Sequence, residues 1–460
     1  MRPFYLFVIL MTIIQIGCRP NPEVSKPNIV LILADDLGYG DLGSYGCTDI
    51  QTPHVDRLAE QGVRLTQFYA NAPECTPTRA ALLSGRYQQR IGGLECAIGA
   101  GNVGRYDDAI QLSDQHELGL PPAYTVLPRT LAENGYKTAI IGKWHLGYET
   151  KFRPDRQGFD YSIGPLGYGG DYFYHVEQDP IRQADFSGAH NLAENGKELF
   201  RDGEYMTRII TDKAVEWLNL RDMEEPFFLY LPYTAPHSPY QGPGDDIGRP
   251  IEGDEWKEAS REKYIEMVEA MDRGIGRVLG TLSEKGLDEE TIVIFFSDNG
   301  GTRQASNGIL SGFKGHVWEG GIRVPCIVKW PDNIEPNTVS HQVSIGFDLT
   351  CSLLKLSGAD TRSMSLDGFD IVNHLVKKDP DVARTLYWRN RRGNVTKKAV
   401  RDGDLKYLIE LRNDTTFLEG MYNLEDDPSE TEDLLLSDPD KAFNMKRLLY
   451  EWEENVKVSS

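Results

Sequence analysis

The 460-residue sequence has few cysteines, no excess of positive charge, and only one long apolar run, at its N-terminus. Its 49 lysines and arginines are outnumbered by 70 aspartates and glutamates, which gives a formal net charge of −21. Nucleic-acid binding requires a basic face, so we expect no nucleic-acid partner. An anionic substrate would have to be held by a local group of cations. The remaining composition, 40% hydrophobic and 26% charged, is that of a globular protein with a large core.

The N-terminal apolar run has the pattern of an export signal. It covers residues 4–14, follows Arg2, and is too short for a membrane span. A Gly-Cys pair ends the segment as in a bacterial lipoprotein signal, so we predict a signal peptide over 1–18 and lipidation of Cys18. Residues 19–26 are polar and predict a linker. The protein is therefore expected to be exported, either periplasmic or anchored to the outer membrane through Cys18. Export without lipid and a buried N-terminal helix are the alternatives.

Beyond the signal, cysteine is too scarce to define a disulfide framework or a zinc motif. The odd number in an exported protein predicts that one thiol has a separate fate, while the other four either form two bridges or stay reduced. No cysteine–histidine cluster has the spacing of zinc ligands, which disfavours a structural zinc site. These cysteines are Cys47, Cys75, Cys96, Cys326 and Cys351.

Four short apolar runs, rich in β-branched and aromatic residues, lead into polar residues. Continuous rather than alternating apolarity predicts strands buried on both faces, as in a parallel sheet covered by helices. Ligands in such folds bind beyond the carboxyl ends of the strands, so these polar residues are expected to share one site. The runs are 28–34 before Asp35 and Asp36, 138–141 before Lys143 and His145, 227–231 before His237, and 291–296 before Asp298 and Asn299.

The rest of the chain predicts helices around this sheet and, at the C-terminus, a different kind of structure. The overall prediction is an α/β fold with a large mixed, mostly parallel sheet flanked by helices, and a smaller C-terminal antiparallel sheet with a helix. We expect a catalytic domain over 27–378 and a small α+β subdomain over 379–460. The predicted elements are helices over 52–59, from 126 to near 135, over 261–284 and over 441–456, and a hairpin over 399–409.

The most informative motif is Cys-Thr-Pro-Thr-Arg at residues 75–79. The proline and the apolar residues after it predict a helix that starts just after Cys75, where free backbone amides favour anions. A thiol there could be a nucleophile of low pKa. A cysteine phosphatase would require arginine six positions after the cysteine, where this chain has Ala81. The local signatures of a cysteine protease are also missing.

This motif resembles the Cys-x-Pro-x-Arg signature of the type I sulfatases of the alkaline phosphatase superfamily. Residues 135–147 resemble the second signature of that family, and the resemblance extends over about 27–409. Thr78 and Ser84 differ from the commonest residues at their positions, and Glu74 is unusual before the cysteine. The resemblance implies an alkaline-phosphatase-like fold and sulfuric ester hydrolysis. It also implies oxidation of Cys75 to formylglycine (3-oxoalanine) by a formylglycine-generating or anaerobic sulfatase-maturating enzyme.

The resemblance further implies one divalent cation per chain, usually Ca²⁺, beside residue 75. The family's carboxylate pair matches Asp35 and Asp36, and its later Asp-Asn pair matches Asp298 and Asn299. The donor chemistry agrees independently, because Ca²⁺ prefers six to eight hard oxygen ligands. The predicted metal site therefore comprises these four residues and modified Cys75.

The same comparison implies the catalytic roles. Arg79 would hold the hydrated residue 75, which attacks the sulfur. Lys143 and Lys314 would grip the sulfate oxygens, as cationic clamps on a developing anion do. His237 would contact the sulfate and protonate the leaving alcohol, and His145 would deprotonate residue 75 to expel sulfate.

For the substrate we expect a sulfated carbohydrate, of an algal type such as ulvan or carrageenan. Asp171 and His175, in an aromatic and glycine-rich stretch, and Arg389 and Arg391, in a local cation cluster, are the candidate sugar-binding residues. A surface loop and a solvated strand end are the plain alternatives for these two segments. Two other functions remain open: a phosphonate monoester or phosphodiester hydrolase of the same superfamily, and a non-catalytic protein that binds sulfated glycans.

Overall fold

The computed structural model describes residues 26–178, 190–222 and 224–457. The predicted signal peptide, Cys18 and all of the predicted linker except Lys26 lie outside these residues. The strands are β1 (Asn28–Ala34), β2 (Val63–Leu65), β3 (Phe68–Tyr69), β4 (Lys137–Ile141), β5 (Tyr161–Pro165), β6 (Leu192–Glu194), β7 (Lys197–Glu198), β8 (Phe227–Pro232), β9 (Thr291–Ser297), β10 (Cys326–Lys329), β11 (Thr338–Ser340), β12 (Ser344–Ile345), β13 (Thr385–Arg392), β14 (Val395–Asp402), β15 (Leu405–Arg412) and β16 (Thr415–Asn423). The α-helices are α1 (Pro53–Glu60), α2 (Cys75–Ser84), α3 (Asp107–Asp114), α4 (Leu127–Glu133), α5 (Met206–Asn219), α6 (Arg261–Glu284), α7 (Glu319–Ile322), α8 (Gly346–Leu356), α9 (Ile371–Lys377) and α10 (Pro439–Asn455).

A ten-stranded sheet forms the centre of the molecule, in the order β11-β2-β10-β9-β1-β8-β4-β5-β6-β7. Its middle strands, β9 through β5, run parallel, while β10 and the β6–β7 edge pair antiparallel. This confirms the predicted mixed, mostly parallel sheet. The four strands predicted from the apolar runs are β9, β1, β8 and β4, which are direct neighbours. Their carboxyl ends therefore meet at one edge.

Both faces of the sheet are covered by helices, which explains the continuous apolarity of the strands. In β1 the residues from Ile29 to Leu33 at odd positions pack with α2, α4 and α8, while those from Val30 to Ala34 at even positions pack with α1, α5 and α6. Helix α6 has the predicted bounds because the Ser260 hydroxyl caps it by accepting from the Lys263 amide. No helix in the described ranges is long and apolar enough to cross a membrane.

Strands β13 to β16 form a four-stranded antiparallel meander that carries α10 on one face, as predicted for the C-terminal part. This sheet packs against α2, α8 and a small two-stranded sheet formed by β3 and β12, rather than against the ten-stranded sheet itself. The Trp388 indole donates to the Ala70 carbonyl at 2.9 Å, and its ring lies 5.2 Å from that of Tyr69. The division at residue 378 stays a prediction.

A buried ion cluster also fixes the C-terminal sheet to the main domain. The Lys406 ammonium lies 2.9 Å from Glu319 and 2.8 Å from Glu430, and all three side chains are fully buried. Glu319 belongs to α7, Lys406 to β15, and Glu430 follows β16. One lysine therefore bridges carboxylates from two parts of the chain.

Replacing Lys406 with methionine is expected to lower the free energy of unfolding by about 3–5 kcal/mol, because two buried carboxylates lose their shared cation. Urea denaturation at neutral pH measures this. Lys441→Met, at the exposed start of α10, is the control and should change stability by less than about 0.5 kcal/mol. A loss equal to that of the control would mean that the cluster contributes little.

The same cluster predicts a pH dependence of stability. Burial and the neighbouring Glu319 carboxylate raise the pKa of Glu430 from 4.5 to about 7. The protonated Glu430 side chain therefore contributes its full stabilisation to the folded state below about pH 4.5. This stabilisation is lost as the pH rises to about 7. Glutamine resembles the protonated acid and does not titrate. The free energy of unfolding of Glu430→Gln relative to that of the wild type should therefore rise by on the order of 3 kcal/mol between pH 4.5 and 7. Parallel stability–pH curves for the two proteins would contradict the assignment.

Candidate active site

The predicted site residues converge where the neighbouring parallel strands end. Asp35 and Asp36 follow β1, Lys143 follows β4, and Asp298 follows β9. The Lys143 ammonium lies 2.6 Å from Asp35 Oδ2, and both side chains are fully buried. Asp36 has a positive φ of 69°, which turns the chain away from the sheet here. Strand topology thus brings residues more than 260 positions apart into one cluster.

Cys75 is the first residue of α2 and faces this cluster. The helix starts at Cys75, and Gly85 ends it with a φ of +70°. The thiol is 1% exposed, 3.2 Å from His145 Nδ1 and 3.7 Å from the Lys143 ammonium. Burial raises the pKa of the Cys75 thiol to about 11, despite the nearby lysines. The unmodified residue is therefore a protonated thiol rather than the low-pKa nucleophile that its helix position alone suggests. All five cysteines in the described ranges are free.

Arg79 lies one turn along α2 and is completely buried. Its guanidinium donates to Asp298 Oδ2 at 2.8 and 3.0 Å and to the Lys143 carbonyl at 2.8 Å, and lies 3.8 Å from Asp35. It thus connects the ends of β1, β4 and β9. Burial and the Asp35 charge raise the pKa of Asp298 to about 6.

Asp36 organises the other side of the cluster. Its carboxylate accepts from the Lys314 ammonium at 2.8 Å and from the Asn299 amide at 2.8 Å, and lies 3.7 Å from His237 Nε2. Although burial opposes it, Lys314 and His237 hold the pKa of Asp36 below its usual range. Gly315 donates to the Pro73 carbonyl, which ties the Lys314 loop to the start of α2.

His145 is oriented as a proton acceptor towards residue 75. Its Nε2 lies 2.8 Å from the Ile98 carbonyl, and this bond places the hydrogen on Nε2 and leaves the Nδ1 lone pair facing Cys75. Burial and Lys143 lower the pKa of His145, so the ring is neutral. For His237, Nδ1 donates to the Ser238 carbonyl at 2.6 Å, and burial and Lys314 lower its pKa to about 3.

The acidic cluster has the donors that a hard divalent cation requires. Ligand atoms of Asp35, Cys75 and Asp298 lie within 4.8 Å of one another, as do those of Asp35, Asp36 and His237. Asp35 Oδ1 and Asn299 Oδ1 are buried oxygens without a hydrogen-bond partner. Such orphaned oxygens are costly unless a cation or water satisfies them, so the residues present fit a metal ion.

Without a bound metal ion, the negative and positive side chains of the site are equal in number. Three carboxylates, those of Asp35, Asp36 and Asp298, face three cations. A divalent ion would leave the site with two excess positive charges. The site would then attract a sulfate group even though the whole chain carries −21. The cations that would meet it are Arg79, Lys143 and Lys314.

The structure does not bring the four predicted sugar-binding residues into this site. Asp171 is buried and its carboxylate accepts from the amides of Phe173, Tyr174 and Ile251, and His175 is fully buried. Arg389 is held by Glu95 at 2.6 Å and Glu453 at 3.1 Å, and Arg391 by Asp108 at 2.7 Å. The prediction is corrected for Asp171 and His175, because their burial leaves no surface for a sugar. Arg389 and Arg391 keep partly exposed side chains, and their role in sugar binding stays a prediction.

Other residues line the approach to the site, and the sequence did not indicate two of them, Trp256 and Arg303. The Tyr168 ring lies 6.3 Å from that of His145 and 6.2 Å from that of His237. A cavity of about 410 Å³ extends outward from Lys314 and is lined by Trp256, Arg303 and Arg392, among others. Tyr168 belongs to the aromatic stretch noted in the sequence, whereas neither Trp256 nor Arg303 lies in a motif that marks it.

An oxygen-rich cluster of carboxylates beside three cations and a buried helix-terminal cysteine, at the strand ends of such a sheet, fits a sulfuric ester hydrolase of the alkaline-phosphatase-like fold. Residues 27–359 match the family described as "Sulfatase", and residues 313–456 match "N-sulphoglucosamine sulphohydrolase, C-terminal". The chain therefore belongs to the sulfatase family.

Individual relatives agree with this assignment. Mouse steryl-sulfatase is 33% identical over 450 residues, which cover 81% of this chain and 69% of that protein. Human N-acetylgalactosamine-6-sulfatase is 31% identical over 370 residues, covering 78% and 68% respectively. The crystal structure of Ps i-CgsB has a TM-score of 0.79 and 31% identity, covering 93% of this chain and 92% of that one, and its complex with k-i-k-neocarrahexaose has a TM-score of 0.78.

Proposed function

We propose that this protein hydrolyses sulfate esters of an anionic polysaccharide or its oligosaccharides, of carrageenan or ulvan type. The observation that carries the proposal is the continuity of two features: the cluster around Cys75, and a cavity that opens from Lys314 and is lined by further cations. A similar structure, 31% identical, was solved with a neocarrahexaose, a ligand of the carrageenan class, which supports this type of substrate.

We further propose that Cys75 is converted to formylglycine by a separate maturation enzyme and that Asp35, Asp36, Asp298 and Asn299 hold Ca²⁺. The aldehyde hydrate would supply an oxygen nucleophile, and Ca²⁺ would neutralise charge on the sulfate oxygens. The orphaned oxygens and the high pKa of the unmodified thiol support these assignments.

The chain's own residues then have distinct roles in the proposed reaction. Lys143 and Lys314 flank the cluster and would bind the sulfate oxygens. His145 Nδ1, 3.2 Å from the Cys75 side chain, would accept a proton from residue 75. His237 Nε2 faces the cluster, 3.7 Å from Asp36, because its Nδ1 donates to the Ser238 carbonyl. In this neutral state Nε2 carries a lone pair, so it would have to take up a proton before it could protonate the leaving oxygen. Arg79, bound to Asp298, keeps α2 in register with the strand ends.

The lining of the cavity favours a carbohydrate over a steroid. Lys257, Arg303 and Arg392 are exposed cations at its wall, beside the aromatic rings of Trp256 and Phe313. Glu74 and Glu258 also line the cavity, and Lys257 and Arg392 are paired with Asp254 and Glu74. Steroid skeletons are held by continuous apolar walls, whereas sugars are bound by aromatic faces and polar groups. Arg303 stacks over Phe313 at 4.6 Å and has no carboxylate partner in the described part of the chain. We propose that it binds a second sulfate or a carboxylate of the substrate.

Comparing kcat/KM on matched aryl sulfate and aryl phosphate esters tests the proposed reaction. We expect the sulfate to be the better substrate and desulfation of carrageenan or ulvan oligosaccharides to be faster still. Faster turnover of the phosphate ester would favour a phosphonate monoester or phosphodiester hydrolase. Glycan binding without turnover by protein carrying formylglycine would favour a binding protein.

Replacing Arg303 with alanine is expected to raise KM for multiply sulfated oligosaccharides about tenfold, the equivalent of about 1.4 kcal/mol, because one ionic contact is lost. The KM for a small aryl sulfate should not change. Arg362→Ala, at an exposed arginine paired with Asp360, is the control. Equal effects of Arg303→Ala on both substrates would contradict a role in recognising a second anionic group.

We also propose that the protein is exported and anchored to a lipid bilayer through Cys18. The support is the N-terminal sequence pattern alone. Metabolic labelling with a fatty acid in a bacterial host tests it: Cys18→Ala should lose the label, and labelling that persists would contradict the assignment.

A further inference from the structure

Two buried histidines lie close together outside the active site. His175 and His190 are 0% and 4% exposed, and their ring centroids are 6.2 Å apart at an angle of 88°. A ring nitrogen of each and a carboxylate oxygen of Asp202 lie within 4.8 Å of one another. Backbone pairing holds the two histidines in place, because Val176 forms a bridge with His190 and the Asn191 amide donates to the His175 carbonyl.

The ring nitrogens of this cluster lack hydrogen-bond partners within the described residues. His175 Nδ1 and both nitrogens of His190 are buried and unsatisfied. His175 Nε2 lies 3.0 Å from the Glu204 carbonyl, so the hydrogen sits on Nε2 and the Nδ1 lone pair is free. Metal-binding histidines typically donate their other ring nitrogen to a carbonyl in this way. Burying such nitrogens costs free energy unless a ligand satisfies them.

We infer that His175, His190 and Asp202 form a second metal site, of the kind that takes Zn²⁺. Imidazole nitrogens favour Zn²⁺ and its neighbours, in contrast to the oxygen-rich cluster at Cys75. Burial keeps both rings neutral, as metal ligands must be, because it lowers the pKa of His175 to about 4 and that of His190 below its usual value. The Glu198 carboxylate, 3.9 Å from His190 Nδ1, or a water could complete the coordination.

Such a site would hold the loop that reaches the active site. The loop of residues 166–175 carries both Tyr168, which faces His145 and His237, and His175. Leu166 and Asn191 are joined by a backbone hydrogen bond of 2.9 Å, so both ends of this loop are fixed to the segment that starts at His190. A metal at the histidine pair would therefore stabilise the loop without taking part in the reaction. The sequence did not predict a zinc site, because these three ligands do not have the spacing of a zinc motif. They come together only through this backbone pairing.

Metal binding by the full chain tests the inference. The purified protein is stripped with a chelator, saturated with Ca²⁺, and titrated with Zn²⁺ or Co²⁺, with elemental analysis and the visible spectrum of Co²⁺ as readouts. We expect one tightly held equivalent with a nitrogen-ligand Co²⁺ spectrum, and a higher Tm on binding. His190→Gln and Asp202→Asn should each weaken binding at least about 100-fold, while His116→Gln, at an exposed histidine, should not.

Asp202 is exposed, so Asp202→Asn keeps the test decisive if His190→Gln does not fold. Absence of a tight equivalent in the wild type would overturn the inference, as would unchanged binding in both site variants. Sulfatase activity is measured in parallel. Wild-type protein that is active on sulfate esters but holds no tight second metal equivalent would therefore contradict this inference and leave the proposed function intact.

Discussion

Replacing Cys75 with alanine is expected to reduce sulfate ester hydrolysis by at least about 10⁴-fold, the scale of a lost covalent nucleophile. The side chain lies 3.2 Å from His145 Nδ1, the proposed proton acceptor, and 3.7 Å from the Lys143 ammonium, a proposed sulfate-binding cation. Initial rates on an aryl sulfate with protein made beside a maturation enzyme measure the effect.

Cys351→Ala is the matched control for this substitution. Cys351 is also buried, at 5% exposed, but lies in α8 outside the site. It should retain activity to within about twofold, since the removal of one sulfur from a core changes stability rather than chemistry. If Cys75→Ala retained more than a few per cent of wild-type activity, residue 75 would not be the nucleophile.

Replacing Asp298 with alanine is expected to remove the metal ion and the activity together, with a loss of at least about 10³-fold. Its carboxylate is within 4.8 Å of ligand atoms of Asp35 and Cys75 and also binds Arg79. Calcium content by elemental analysis and kcat/KM are measured on the same sample. Because the variant leaves Arg79 buried without its main partner, Asp298→Asn should be made as well.

Asp272→Asn controls for the loss of a buried carboxylate as such. Asp272 is 1% exposed and accepts from the amides of His54 and Val55 at the start of α1, and it is not among the proposed metal ligands. It should lose stability but keep both calcium and activity. Full activity of the wild type in excess chelator would contradict the metal assignment.

The sheet and the centre of the site could be predicted from the sequence because both follow from burial. A strand covered on both faces is apolar throughout, as β1 is, and the residue after it must face the shared edge. Asp35, Lys143 and Asp298 are visible for this reason. Antiparallel β10, inserted between β9 and β2, could not be foreseen, since its register depends on contacts between distant segments.

The substrate-binding residues were harder to predict, because a cation's partner is not visible in the sequence. Arg389 sits in a cationic stretch, yet its carboxylate partner Glu95 is 294 positions away. Arg303 stands alone in the sequence, and only the packing of the loop after β9 brings it to the cavity beside Lys314. His175 was selected as a polar residue of an aromatic and glycine-rich stretch, and backbone pairing with the segment at His190 buries it.

The most direct test of the central claim is the mass of the peptide that contains Cys75, from protein made in its own host. Trypsin would release residues 65–79, because Arg64 precedes this segment and Arg79 ends it. We predict the mass of an aldehyde or its hydrate at position 75, in step with the specific activity of the sample. An unmodified cysteine in protein that is fully active on sulfate esters would contradict the proposed nucleophile and the account built on it.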